Sequence, residues 1–330
     1  MNARLDTRRI LIYLLFSFGI AWAIALVIYL TGGLASSPTL VEMPGAARLT
    51  LATLLLAAGY MWAPALAHIL TRVVTREGWA DPMLRPRLRQ GWPYWLAAIF
   101  LPAVLTIIGA VVYFLLFPQH YDPELGLLRS MLPAEVPIPL GLLVAIQIIQ
   151  GILLSPLINS LFTFGEEFGW RGYLQPKLMP LGGRRAMLLM GVIWGLWHAP
   201  VIAMGHNYGF GYPGAPWTGI LAMIWFTTVA GTFLGWASLR GESVWPAVLG
   251  HAGINGIASL AVLFTQGEPN PLLGPLPVGL IGSAGFTLLA LWLFISPRAL
   301  ARPEPGSPAI RPAPTTETAD TEFIGETAHD

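Results

Sequence analysis

Eight apolar stretches recur along the chain, near positions 10–30, 49–72, 94–117, 138–164, 185–204, 217–239, 244–265 and 276–296. Each is long enough to cross a bilayer core as a helix of about 20 residues. Lipid offers the backbone no hydrogen-bonding partner, so an isolated stretch of this kind must close its N–H and C=O groups on itself. The reading is therefore an all-α fold, a polytopic transmembrane helix bundle of about eight spans. Composition agrees: of 330 residues, 55% are hydrophobic and 11% charged, too little polar surface to cover a soluble globule. The lipid bilayer is thus the first partner, and the expected location is the cell membrane, as a multi-pass integral protein. A net charge of +1 leaves no basic face for nucleic acid, and the lack of cysteine removes disulfides and thiolate metal ligands.

The first stretch follows Arg8 and Arg9 and is too long and too uniformly apolar for a signal-peptide core, so it reads as a retained helix. With the N-terminus inside, only Arg48 and Arg129 of the 18 Lys and Arg residues fall outside. This bias predicts both termini in the cytoplasm and favours an even span count, because one missed helix would invert every later loop. Residues 1–302 read as a single transmembrane helical domain with a motif core at 138–270. Residues 303–330, rich in Pro, Thr and acidic side chains, read as a disordered cytoplasmic tail. The basic segment from Arg72 to Pro93 reads as a surface connection.

Within this apolar chain stand Glu166, Glu167 and Arg171. Charges at membrane depth are costly and persist mainly where they face a protein interior or a wet cavity. Their apolar stretch runs from Ile138 past Pro156 to Leu174 and ends at Pro176, far longer than one crossing. A tilted or Pro156-broken helix follows, with the glutamate turn sunk below the cytoplasmic surface. Glu167 and Arg171 are four apart with the acid first, the favourable order for an ion pair. Glu166, rotated by about 100°, is left for another partner. The fifth stretch places His198 in an otherwise apolar helix, and the seventh places His251 and Asn255 on one face among Gly250, Gly253 and Gly256. Rise along the helix puts His251 and Asn255 on the order of 10 to 17 Å from their cytoplasmic ends and His198 about 20 Å. The motifs can then converge in the cytoplasmic half of the bundle. His68, alone on its helix, reads as an interhelical hydrogen-bond donor.

The order E-E-x-x-x-R (Glu166, Glu167, Arg171), aromatic-x-x-x-H (Trp194 to His198) and H-x-x-x-N (His251 to Asn255) resembles the CPBP family of intramembrane proteases. That family includes the type II CAAX prenyl endopeptidases and bacterial relatives linked to bacteriocin self-immunity. Trp194 departs from the pattern, which more often has Phe, and bears on substrate more than on catalysis. The resemblance implies peptide hydrolysis in a membrane-associated or CAAX-like protein substrate, with the first glutamate and the histidine of the second motif activating water.

The residues support the same chemistry. A carboxylate beside an imidazole can deprotonate an attacking water and pass the proton on, a role that fits Glu166 with His198. His251 and Asn255, one turn apart, can donate to the oxyanion. Glu167, held by Arg171, orients and balances charge. Two alternatives stand beside this reading. Zinc could be held by Glu166, His198 and His251, although there is no H-E-x-x-H and a mechanism without a cofactor is favoured. A non-enzymatic transporter or scaffold could use the same cavity for an ion or a partner helix.

Overall fold

The computed structural model describes residues 5–42, 48–80, 83–132 and 138–301. The expected tail at 303–330 lies outside the described residues. Helix α1 (Thr7–Leu30) opens on Asp6, whose side chain accepts the Arg9 N–H. A short antiparallel pair, β1 (Thr39–Glu42) and β2 (Arg48–Thr50), leads to α2 (Leu51–Leu55). A wide π-helical turn at Leu56–Tyr60 joins α2 to α3 (Ala63–Thr75). After α4 (Leu88–Leu116) and the short α5 (Gly126–Met131), helix α6 (Leu140–Leu153) meets α7 (Ser155–Gly169) at a bend of 42°. A second wide turn, Trp170–Leu174, carries α7 into α8 (Gln175–Leu178). Then come α9 (Gly183–Trp197), α10 (Ala199–Ala203), α11 (Trp217–Gly241), α12 (Trp245–Ile257) and α13 (Ala284–Ile295).

Among the described residues, five helices are long and apolar enough to cross a membrane: Thr7–Leu30, Leu51–Thr75, Leu88–Leu116, Trp217–Gly241 and Trp245–Phe264; the bent α6–α7 pair makes a sixth. The fifth and eighth expected spans are shorter. Helix α9 ends at Trp197 and the chain restarts as α10 around Pro200, which has no N–H to continue the ladder. Helix α13 keeps only 12 residues, about 18 Å of rise, because residues 265–283 fold as turns rather than as its outer half. The bend in the long fourth stretch falls at Leu154, just ahead of Pro156, as a proline in the first turn of α7 requires.

Helix α11 is the axis of the bundle: 72% of its most apolar window is buried, against 28% for α1. It packs on α9, α4, α13 and α12, while α7 packs on α12 and α3. Outside this core, Leu15, Leu30, Leu115, Leu157, Leu161 and Ile295 are all exposed, the apolar belt that lipid covers in a multi-pass membrane protein. Where the arginine-rich ends gather, Lys177 bridges Glu77 at 2.5 Å and Asp6 at 3.7 Å, and the Tyr173 hydroxyl donates to Glu77 at 2.8 Å. Arg72 belongs to this region but not to a surface loop. It lies in α3 at 7% exposure, donates from Nε to His68 Nε2 at 2.6 Å and also bonds the Gly78 carbonyl.

Burial raises the Glu77 carboxyl, but the bonds from Lys177 and Tyr173 and the charges of Lys177 and Arg9 more than offset it, so the group sits below its ordinary 4.5. Stability from this shift is present above the unfolded value and is lost as pH falls through the lower folded one. Glu77→Gln should therefore lower Tm at neutral pH, and the gap to wild type should close below pH 4.5. Topology is tested separately: reporter fusions after Gln119 and Gly205 should report the outside and a fusion after Trp79 the cytoplasm. Cytoplasmic reporting at Gln119 would invert the orientation read from the arginines.

Candidate active site

Two glycine pairs set the helices that hold the motifs. A Cβ on Gly165 would lie 2.7 Å from the Met61 carbonyl oxygen, and one on Gly169 only 2.4 Å from the Pro64 backbone. Glu166 and Glu167 thus sit between two points where α7 touches the start of α3. On α9, a Cβ at Gly191 would meet the Thr228 Cα at 2.4 Å and one at Gly195 the Ile224 Cα at 2.5 Å. Both are small-xxx-small contacts, which let membrane helices approach to backbone distance. Thr227 Oγ1 donates to the Gly191 carbonyl and Thr163 Oγ1 to that of Val248, fastening α11 to α9 and α7 to α12.

The two glutamates have different partners. Glu167, fully buried, accepts on Oε1 both Arg171 Nη1 at 2.9 Å and His251 Nδ1 at 2.8 Å. Arg171 also stacks over the Trp194 ring, 4.7 Å from its centroid. Glu166, 3% exposed, accepts the Trp194 indole N–H on Oε2 at 2.8 Å. Trp194, read from sequence as an aromatic wall, is therefore also a donor that Phe at this position would lack. His198 stands at the break between α9 and α10, and its Nδ1 is 2.8 Å from the Trp194 carbonyl. A carbonyl can only accept, so Nδ1 holds the proton and Nε2 of the neutral ring is an acceptor. The same logic fixes His68: Arg72 donates to its Nε2, so Nδ1 donates to the Phe168 carbonyl at 2.9 Å. That is the interhelical bond expected of it.

Glu166, His198, His251 and Asn255 all line one cavity of about 320 Å³, together with Tyr60, Trp194, His206 and Asn207. Arg171 and Glu167 stand behind it. Exposure grades outward from Glu166 at 3% and His251 at 6% to Asn255 and Asn207, both exposed. The remaining walls show where the cavity leads. His206 and Asn207 follow α10, Pro277 and Val278 precede α13, and Leu56 is near the start of the second span. Each lies at the helix end opposite Arg72, Arg184, Arg240 or Arg298. Tyr208 Oη donates to the Val278 carbonyl at 2.8 Å, joining the two loops on that face. Toward the arginines, Trp170, Arg171, Tyr173, Leu174 and Leu178 are each at most 1% exposed. The motifs do meet, and the space they share runs to the face away from the arginines, a direction that helix rise does not give. Packing beyond the glutamates, which helix rise cannot register, makes the difference.

His206, Asn207 and Tyr60 escaped the sequence reading. A His-Asn pair inside the glycine-bounded loop G-H-N-Y-G was the available signal for the first two; Tyr60, whose hydroxyl donates to the Trp197 carbonyl at 2.5 Å, gave none. For zinc, the donors do not converge as they stand: among the described residues no group of three or more His, Asp or Glu side chains is placed to hold a metal ion. Glu166 is engaged by Trp194, and the carboxylate beside His251 is Glu167, already bonded to Arg171.

Arg171→Ala removes the guanidinium from a buried carboxylate, a change that costs about 3 to 5 kcal/mol, and should sharply lower folded yield. Trp194→Phe keeps the ring but not the N–H. Loss of a hydrogen bond to a charged group, about 1.5 to 3 kcal/mol, should leave folded protein with turnover reduced roughly tenfold or more; unchanged turnover would separate that bond from the chemistry.

A comparison with curated proteins gives no match. Against protein families, residues 142–257 match the one described as type II CAAX prenyl endopeptidase Rce1-like, and this segment spans α6 to the end of α12, with every residue of the three motifs. Over that core, about a third of the chain, the sequence is similar to the Rce1-like type II CAAX prenyl endopeptidases.

Proposed function

We propose that this chain is an endopeptidase of the cell membrane that hydrolyses a peptide bond in a membrane-associated or CAAX-like protein, with water activated by Glu166 and His198. The observation that supports it best is the sorting of the paired glutamates. Glu167 is committed to Arg171 and His251, whereas Glu166 lines the cavity, one of its oxygens bonded to the Trp194 indole. The water oxygen attacks the scissile carbonyl carbon as its proton moves to Glu166, and the unprotonated Nε2 of His198 accepts the second water hydrogen in a hydrogen bond. The oxyanion is met by the Asn255 amide and by His251 as the imidazolium, the form whose charge Glu167 balances. The C–N bond then breaks, and the proton held by Glu166 passes to the departing amine. In a water-poor site these contacts act with little dielectric screening.

Glu166→Gln keeps volume and hydrogen bonding but takes up no proton; activity should vanish with the fold intact. Asn255→Ala should spare folding and slow turnover by roughly 100-fold or more, as loss of one oxyanion donor does, and full activity would remove Asn255 from the site. Metal content decides between mechanisms. The metal-free route calls for substoichiometric zinc and activity that survives extended chelation. Zinc near one per chain, lost together with activity in both the Glu166 and His198 variants, would establish the zinc mechanism instead.

A further inference from the structure

We infer that the cavity takes its substrate from the face opposite the arginines, and that the substrate is an internal, uncharged apolar segment of a polypeptide exposed outside the cytoplasm. This rests on the proteolytic reading and adds to it the side of the membrane and the chemistry of the segment.

Access comes first. A chain approaching from the arginine-rich side meets Trp170, Arg171, Tyr173, Leu174 and Leu178, all but fully buried, and the bond from Gln175 to the Gly235 carbonyl at 3.0 Å. On the other side, Asn207 and Asn255 are exposed at the cavity rim. The positive-inside bias makes that side the exterior. The lining then defines what fits. Leu56, Met61, Val201, Met223 and Ile254 are among its walls, and Glu166 is the only Asp, Glu, Lys or Arg side chain among its described lining residues. Among the described lining residues no Lys or Arg is placed to receive a terminal carboxylate, so a bond within a chain suits the cavity better than a C-terminal tail. Burial lowers the pKa of His206, so the imidazole near the rim is uncharged at neutral pH and gives no preference for a charged side chain. A volume of about 320 Å³ is at the small end of ligand pockets, enough for a short extended stretch but not for a folded domain.

The chain has no cysteine, so any introduced cysteine is its only thiol. Phe210 (64% exposed) and Leu280 (44% exposed) lie in the two loops on the rim face, and Ala80 is exposed on the arginine face. In intact cells expressing the full chain, a membrane-impermeant maleimide should label Phe210→Cys and Leu280→Cys, and should label Ala80→Cys only after permeabilisation. The reverse pattern would overturn the proposal. Peptide-terminus mapping of whole membranes, wild type against Glu166→Gln, supplies the second arm. New termini that disappear in the variant should fall in uncharged stretches of exported chains or outward segments. Termini confined to cytoplasmic segments would overturn the substrate class and leave the proteolytic reading standing. No Glu166-dependent termini in any fraction would sink the proteolytic reading, and the substrate class with it, whatever the labelling shows.

Discussion

One carboxylate oxygen, Oε1 of Glu167, holds the site together. It takes Arg171 from its own helix run and His251 from α12, so a single buried anion fixes the wide turn after α7, the rotation of α12 and the orientation of the histidine ring. Such an anion is stable in a dry interior only while both partners stay in place. That condition also separates two adjacent and chemically identical residues. With Arg171 and His251 both taken by one oxygen of Glu167, Glu166 is the carboxylate left beside the cavity, and Trp194 holds it there by one oxygen.

Backbone geometry makes this sorting possible. Wide turns at Leu56–Tyr60 and Trp170–Leu174 insert an extra residue into otherwise regular helices, a feature frequent at functional sites. The first contributes Leu56 and Tyr60 to the cavity wall. The second contains Arg171 and begins two residues after Phe168, whose carbonyl is held by His68. The glycines at 165, 169, 191 and 195 then press these irregular segments against neighbours with no room for a methyl group. Irregular backbone at membrane depth survives where protein supplies its partners, and here Tyr60, Trp22 and His68 supply them from the first two spans.

Much of this was legible in the sequence. The apolar stretches marked the helices, and the spacing of Glu167 and Arg171 showed their pairing. The glycines around His251 marked close contacts, and one of them, Gly256, packs against Ser155. Other features depend on contacts between distant segments. Nothing local to Trp194 shows that its indole reaches Glu166 across 28 positions, or that His251 would choose Glu167 over its neighbour. The shortness of α13 was hidden because residues 276–283 are apolar enough to pass for helix while Gly279 and Gly282 pack against their own loop. The direction of the cavity was hidden for the same reason: it is set by which end of the bundle is filled, a property of packing rather than of any one stretch.

The buried triad also sets stability against chemistry. Glu167 Oε2 and Arg171 Nε are both buried with no hydrogen-bond partner among the described residues, so the ion pair is incompletely compensated. Replacing a buried ionic cluster as a whole by apolar groups of equal volume is often neutral or stabilising by about 1 to 4 kcal/mol. On the proposed mechanism, a chain relieved of Glu167, Arg171 and His251 together would lose its activity while folding about as well as this one. Drift toward stability alone would erase the triad, so its presence in so apolar an interior marks a chain kept for what it does at some cost to how firmly it folds.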